Sequence, residues 1–80
     1  MRRDEVIETI QGLLGDNFGL PAARVTESAT FRRELGLDSL DVVDFVFFLH
    51  SAFGYRAELK EYRDLHTVGQ LVDFVLARQP

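Results

Sequence analysis

The stretch LGLDSLDVVDFVFFLH, residues 35–50, decides how the chain is read. A serine lies between two aspartates where a helix should begin, and the helix that follows is too apolar for one buried stripe. Aspartate and serine both satisfy the free N–H groups of a first helical turn, so Asp38 is expected as the N-cap, with Asp41 three positions on. Gly54 marks the stop, which predicts a helix over Ser39–Phe53. Taking Leu40 as zero on a helical wheel, Phe45, Leu49, Val42, Phe53 and Val46 fall between about 140° and 240°. That arc suffices for a core-facing helix, and Val43 lies on its flank. Leu40, Asp41, Asp44, Phe47, Phe48 and Ser51 occupy the opposite side. The surplus apolar groups thus form a second face, mixed with acid. Two readings stand side by side: Phe47 and Phe48 pack under a neighbouring segment, or they anchor another protein.

Working outward, the whole chain resolves into helical patterns and no convincing strand. Val6, Ile7, Ile10, Leu13, Leu14 and Phe18 share one arc, with Asp4, Glu5 and Glu8 near its start, where the helix dipole favours negative charge. Gly15, Gly19 and Pro21 end that first helix. Residues 19–38 form a long connection anchored by isolated apolar residues, Leu20, Val25, Phe31, Leu35 and Leu37, and connections of that length tend to be functional. A short helical turn is expected around Leu59–Tyr62. The last helix opens with Thr67-Val-Gly-Gln70, a capping-box pattern, and presents Val68, Leu71, Val72, Val75 and Leu76. The fold class is all-α, a small, mainly antiparallel helical bundle.

Composition narrows the function. Eighty residues make one domain, expected over 1–80 and monomeric, with room for one small core. The absence of cysteine removes disulfides, thiolate metal sites and a cysteine nucleophile. The N-terminus is not signal-like, and the longest apolar run, Phe45–Leu49, is far short of a membrane span, so a cytoplasmic chain is expected. A net charge of −4 disfavours nucleic acid and favours partners with basic patches.

Nothing near Ser39 in the sequence would activate it as a nucleophile. His50 lies three turns down the same helix and His66 further still, whereas a serine hydrolase needs its base within hydrogen-bond reach. Asp38, Asp41 and Asp44 are three apart, but no paired histidine or ligand-rich loop joins them, so no metal site is read. If Ser39 matters, another molecule must modify it.

Val25-Thr26, Ala29, Phe31, Leu35-Gly36 and Asp38-Ser39-Leu40-Asp41 resemble the loop and helix start of acyl carrier proteins, and the likeness extends over nearly the whole chain. The resemblance implies a four-helix carrier bundle with a long loop between helices 1 and 2 and a short third helix. It implies a non-catalytic carrier whose Ser39 receives 4′-phosphopantetheine covalently from coenzyme A, through a separate phosphopantetheinyl transferase. The group's thiol then holds acyl intermediates as thioesters. Asp38 and Asp41 oppose the attraction of the helix N-terminus for phosphate, so no tight phosphate clamp is expected. Partner docking falls to Asp38, Leu40, Asp41, Asp44, Phe47 and Phe48, with Phe48 also within reach of the first helix. The partners implied are ketosynthase, acyltransferase or acyl ligase enzymes with basic patches. An acyl cavity is expected among Phe31, Val43, Val46, Leu49, Phe53 and Val72, widened because Ala57 replaces a branched apolar residue usual in the family. Where many carriers of fatty-acid synthesis continue with glutamates, this chain has His50, Ser51 and Ala52. That departure turns the reading towards a polyketide or specialised lipid pathway, with housekeeping fatty-acid synthesis as the alternative. A peptidyl or aminoacyl carrier is a further alternative, which Asp38 argues against. A plain helical interaction module is another.

Overall fold

A computed structural model describes residues 1–78. Three α-helices, α1 (Arg3–Phe18), α2 (Ser39–Phe53) and α3 (Val68–Arg78), are joined by connections that each contain one 3₁₀ turn, Ala22–Arg24 and Leu59–Tyr62. Among the described residues there is no strand, only an isolated antiparallel bridge between Thr30 and Thr67. Helix α1 packs against both α2 and α3. Its apolar arc supplies Val6, Ile10 and Leu14, all without solvent exposure, to a core shared with Phe45, Val46 and Leu49 of α2 and Val68, Leu71, Val72 and Val75 of α3.

The helix boundaries follow from local chemistry. At the start of α2 the Asp38 carboxylate accepts from the Asp41 N–H at 2.9 Å, and the Asp41 carboxylate accepts from the Asp38 N–H at 3.2 Å. The two residues cap each other, as a serine and a glutamate would in the usual box. At the other end Gly54 adopts φ 73° and donates to the His50 carbonyl at 2.9 Å, a left-handed cap that a side chain would strain. Helix α3 is opened by the expected pair: Thr67 Oγ1 accepts from the Gln70 N–H at 3.2 Å, and Gln70 Oε1 accepts from the Thr67 N–H at 3.1 Å.

The long connection is tightly fastened. Val25, Ala29, Phe31, Leu35 and Leu37 are buried. Its backbone pairs with the start of α3, through Phe31 N–H to the His66 carbonyl at 3.0 Å, Val68 N–H to Ala29 at 3.0 Å and Gly69 N–H to Glu27 at 2.8 Å. A Cβ on Gly69 would stand 3.1 Å from that Glu27 carbonyl, a tight contact that the loop would have to yield to by a few tenths of an ångström. Arg3 adds a surface tie, pairing with Glu27 of the loop and, at 2.6 Å, with Asp73 of α3. These bonds hold the guanidinium proton more firmly than usual and keep the Glu27 carboxyl below its ordinary range.

The third helix of the expected four is a 3₁₀ turn of four residues. The reason is legible in its spacing. Leu59, Tyr62 and Leu65 recur every third residue, the period at which 3₁₀ side chains line up on one edge. The i→i+3 bonds Glu61 to Glu58 (2.9 Å), Arg63 to Lys60 (3.3 Å) and Leu65 to Tyr62 (3.1 Å) continue that pattern, with Tyr62 buried, Leu65 half-buried and Leu59 exposed along that edge.

On α2 the inward arc is buried or half-buried, and the outward side is exposed except at Asp41 and Phe48. Leu49 is fully buried whereas Phe47, two residues earlier, is 67% exposed. Leu49→Ala is therefore expected to cost ~2–5 kcal/mol by lost burial and cavity formation. Phe47→Ala should cost less than ~1 kcal/mol, as a surface change does. Denaturant unfolding of the two variants checks the assignment of faces.

Candidate functional site

Ser39 is the first residue of α2 and is exposed. Its Oγ stands 3.4 Å from Nη1 of Arg32, which reaches over from the preceding loop. The serine lies on the rim of a groove of about 460 Å³. Val42, Val43, Val46 and Leu49 form its α2 wall, Phe31 and Leu71 close one side, and the row Leu59, Tyr62 and Leu65 closes the other. Arg32, Arg63 and His66 supply its polar edge. His66, distant from Ser39 in sequence, thus shares a groove with it, yet no hydrogen bond joins them among the described residues.

Of the residues expected to enclose an acyl cavity, Phe31, Val43, Val46 and Leu49 line this groove, whereas Phe53 and Val72 do not. Phe53 sits in the last turn of α2 and stacks on Tyr55, with ring centroids 6.5 Å apart. Val72 is fully buried in the core, while its neighbour Leu71 faces the groove. Ala57 does not widen the groove either. It lines a second hollow at the far end of α2 with Phe47, His50, Ser51, Tyr55 and Arg56, because residues 54–58 pass around that end of the helix.

The outward face of α2 is uneven. Leu40 and Phe47 project from the surface, at 76% and 67% exposure, and Asp44 between them is exposed. The carboxylates of Asp38 and Asp41 are engaged in capping, whereas Asp44 has no ion pair or side-chain hydrogen bond among the described residues. Phe48 is half-buried: its ring meets Phe18 of α1 edge-on at 6.3 Å, and Phe18 meets Phe45 at 6.2 Å. Packing against a neighbouring segment therefore applies to Phe48, which covers the end of α1, whereas Phe47 stays exposed.

One cluster had no signal in the helical periodicity. Below the groove the Tyr62 hydroxyl lies 2.9 Å from both His50 Nε2 and the Tyr55 hydroxyl, and the ring of Tyr62 packs 4.9 Å from that of Phe74. Its members belong to three different segments; only their shared aromatic and polar character could have suggested a group. Burial raises the pKa of both tyrosines; the bond to Tyr55 raises Tyr62 further, while the bond to Tyr62 partly offsets the shift of Tyr55.

Residues 8–75 match the family model described as the phosphopantetheine attachment site. The chain is 38% identical to an acyl carrier protein of Saccharopolyspora erythraea over 95% of its own length and 80% of that protein's. It is 37% identical to one from Rubrobacter xylanophilus, covering 99% of this chain and 98% of the relative. It is also 36% identical to acyl carrier protein 2 of Ralstonia nicotianae, covering 94% and 93%. The chain belongs to the acyl carrier protein family. Membership brings 4′-phosphopantetheine as the covalent cofactor and the role of carrier rather than catalyst. The residues present suit such a group: an exposed hydroxyl at a helix start, beside an apolar groove open to it. When attached, the group supplies a terminal thiol that holds acyl chains as thioesters. No described helix of this carrier is long and apolar enough to cross a membrane.

The tyrosine pair gives a direct check of this geometry. Both tyrosines of the carrier are in the cluster, and there is no tryptophan, so tyrosinate absorbance reports on them alone. In the folded protein both should ionise above the ordinary value of about 10. Because the folded values are raised, the associated stability is fully present below about pH 10 and is lost as pH climbs through the folded values. Tyr62→Phe should remove the greater part of that alkaline sensitivity, and a titration at the ordinary value would show that the cluster is open to solvent.

Proposed function

We propose that Ser39 is the attachment point and that the carrier delivers acyl groups in a dedicated polyketide or specialised lipid pathway. The observation that carries the attachment is the position of Ser39, exposed at the first turn of α2 on the rim of the groove. In the transfer, Ser39 Oγ bonds to the pantetheine-side phosphorus of coenzyme A as the pyrophosphate bridge breaks, and adenosine 3′,5′-bisphosphate leaves with the bridging oxygen. The hydroxyl proton leaves to a base supplied by the phosphopantetheinyl transferase. A group mounted there leaves the core undisturbed, because the helix's inward face begins only at Val42. The groove wall of Val43, Val46, Leu49 and Phe31 shelters the apolar part of the cargo.

Docking falls to the outward strip. Leu40 and Phe47 are exposed apolar anchors, and Asp44 is the acid free to meet a basic patch on a transferase, ketosynthase, acyltransferase or acyl ligase. Charge of this kind governs encounter and selection more than final affinity. Beyond Asp44, α2 carries no acid, and Phe47, His50 and Ser51 line a hollow instead. That surface supports a partner set narrower than that of a housekeeping carrier of fatty-acid synthesis. A cytoplasmic setting suits both coenzyme A and these enzymes.

Incubation with coenzyme A and a broad-specificity transferase tests the attachment. Wild-type protein should gain one arm's mass, mapped to Ser39, and Ser39→Ala should gain none while its melting stays nearly unchanged, since Asp38 still caps α2. Mass found on Ser28 or Ser51 would contradict the assignment. Docking is tested by turnover with a ketosynthase or ligase encoded beside the carrier: Phe47→Ala should lose over ~1–2 kcal/mol of partner binding, the usual cost of truncating an anchor. Unchanged turnover would remove Phe47 from the docking surface.

A further inference from the structure

We propose that Arg32 holds the phosphodiester at the root of the prosthetic group, as a positioning residue that ties the arm to the groove side of α2. The proposal rests on Ser39 as the attachment point. Arg32 comes from the loop, and among the described residues its Nη1, 3.4 Å away, is the one side-chain partner of Ser39 Oγ. Once that oxygen is esterified, phosphorus lies one bond from it and the two unesterified oxygens lie two bonds away. A guanidinium already in contact with Oγ is then within hydrogen-bond reach of both, in the forked geometry that suits arginine and phosphate.

Two further observations support this role. Arg32 makes no ion pair among the described residues, as Arg24, Arg33, Arg56 and Arg63 make none, but of these five it alone contacts Ser39 Oγ. An arginine without a counter-ion in an acidic chain, placed against the modified hydroxyl, is complementary to an anion arriving there. The start of α2 is also a poor anion site by itself. Asp38 and Asp41 place two carboxylates beside Ser39 and occupy each other's N–H groups. A phosphodiester on Ser39 would meet their repulsion, and Arg32 is the cation positioned to offset it. The side on which Arg32 stands also matters. It lines the groove with Phe31 and Arg63, away from Asp44 and Phe47, so a phosphodiester drawn to it directs the arm towards the groove rather than the docking strip.

Arg33 provides the control. It is adjacent, exposed and of the same charge, but it does not line the groove and makes no hydrogen bond among the described residues. The test uses the loaded carrier in wild-type, Arg32→Ala, Arg32→Lys and Arg33→Ala forms. Intact mass confirms loading, circular dichroism confirms folding, and the phosphorus resonance is followed from low to high salt, with the urea-unfolded protein as reference. In wild type and Arg33→Ala the folded resonance should be displaced from the unfolded position at low salt and return towards it as salt screens the pair. Arg32→Ala should sit at the unfolded position at every salt concentration. Arg32→Lys should lie between, because an ammonium supplies the charge without the fork. A folded, fully loaded Arg32→Ala with the wild-type resonance, or a wild-type resonance that never leaves the unfolded position, overturns the clamp and leaves the attachment at Ser39 standing. Failure of wild type to gain mass at Ser39 overturns both.

Discussion

The reciprocal cap between Asp38 and Asp41 sets where α2 begins and leaves Ser39 as its first residue, while the helical period and packing against α1 and α3 divide its side chains. Phe45, Val46 and Leu49 turn inward to meet α1 and α3, and Leu40, Asp44 and Phe47 turn outward. Ser39 is left at the boundary, on the first turn, where a side chain neither supports the core nor is enclosed by it. The capping exchange contributes ~0.5–2 kcal/mol by the usual measure.

The cap fixes only one side of the site. The other side comes from the long loop, whose length suggests mobility but whose buried residues and bonds to the start of α3 indicate firm attachment. The bonds from Phe31, Val68 and Gly69 bring Phe31 and Arg32 alongside Ser39 and carry His66 to the same groove. The 3₁₀ turn between α2 and α3 completes the enclosure with a row of side chains three residues apart. Each wall is therefore made by a different kind of local structure, while the serine stands on α2, which contributes to both the groove and the proposed docking strip.

How much of this was legible in the sequence depended on the range of the forces involved. The ends of α2 and the opening of α3 were readable because Asp38, Gly54 and Thr67 act on backbone groups within a few residues. The division of α2 into two faces was readable because periodicity reports burial directly, and Leu49 and Phe47 obey it. The short turn expected at Leu59–Tyr62 is present, but as a 3₁₀ turn rather than the third α-helix that the resemblance implies, because a period of three is not distinguishable from 3.6 over so short a run. Phe53 and Val72 were assigned to the cavity because a wheel separates inside from outside but does not divide the inside between core and groove. Arg32 and the cluster of His50, Tyr55 and Tyr62 escaped because both depend on segments meeting across the fold, where spacing along the chain carries no signal. The family resemblance pointed to Ser39 from its neighbours in sequence, while the surroundings of that serine became visible only in three dimensions.

The central claim is that α2 presents cargo shelter and partner docking on different sides, with Ser39 between them. The most direct measurement compares backbone and methyl resonances of the holo carrier with those of the same carrier bearing a medium-length acyl chain. The account predicts changes concentrated on Phe31, Val43, Val46, Leu59 and Leu71, with Phe47 and Phe18 unmoved. Changes centred on Phe47 and the second hollow, or none beyond the residues flanking Ser39, would contradict it.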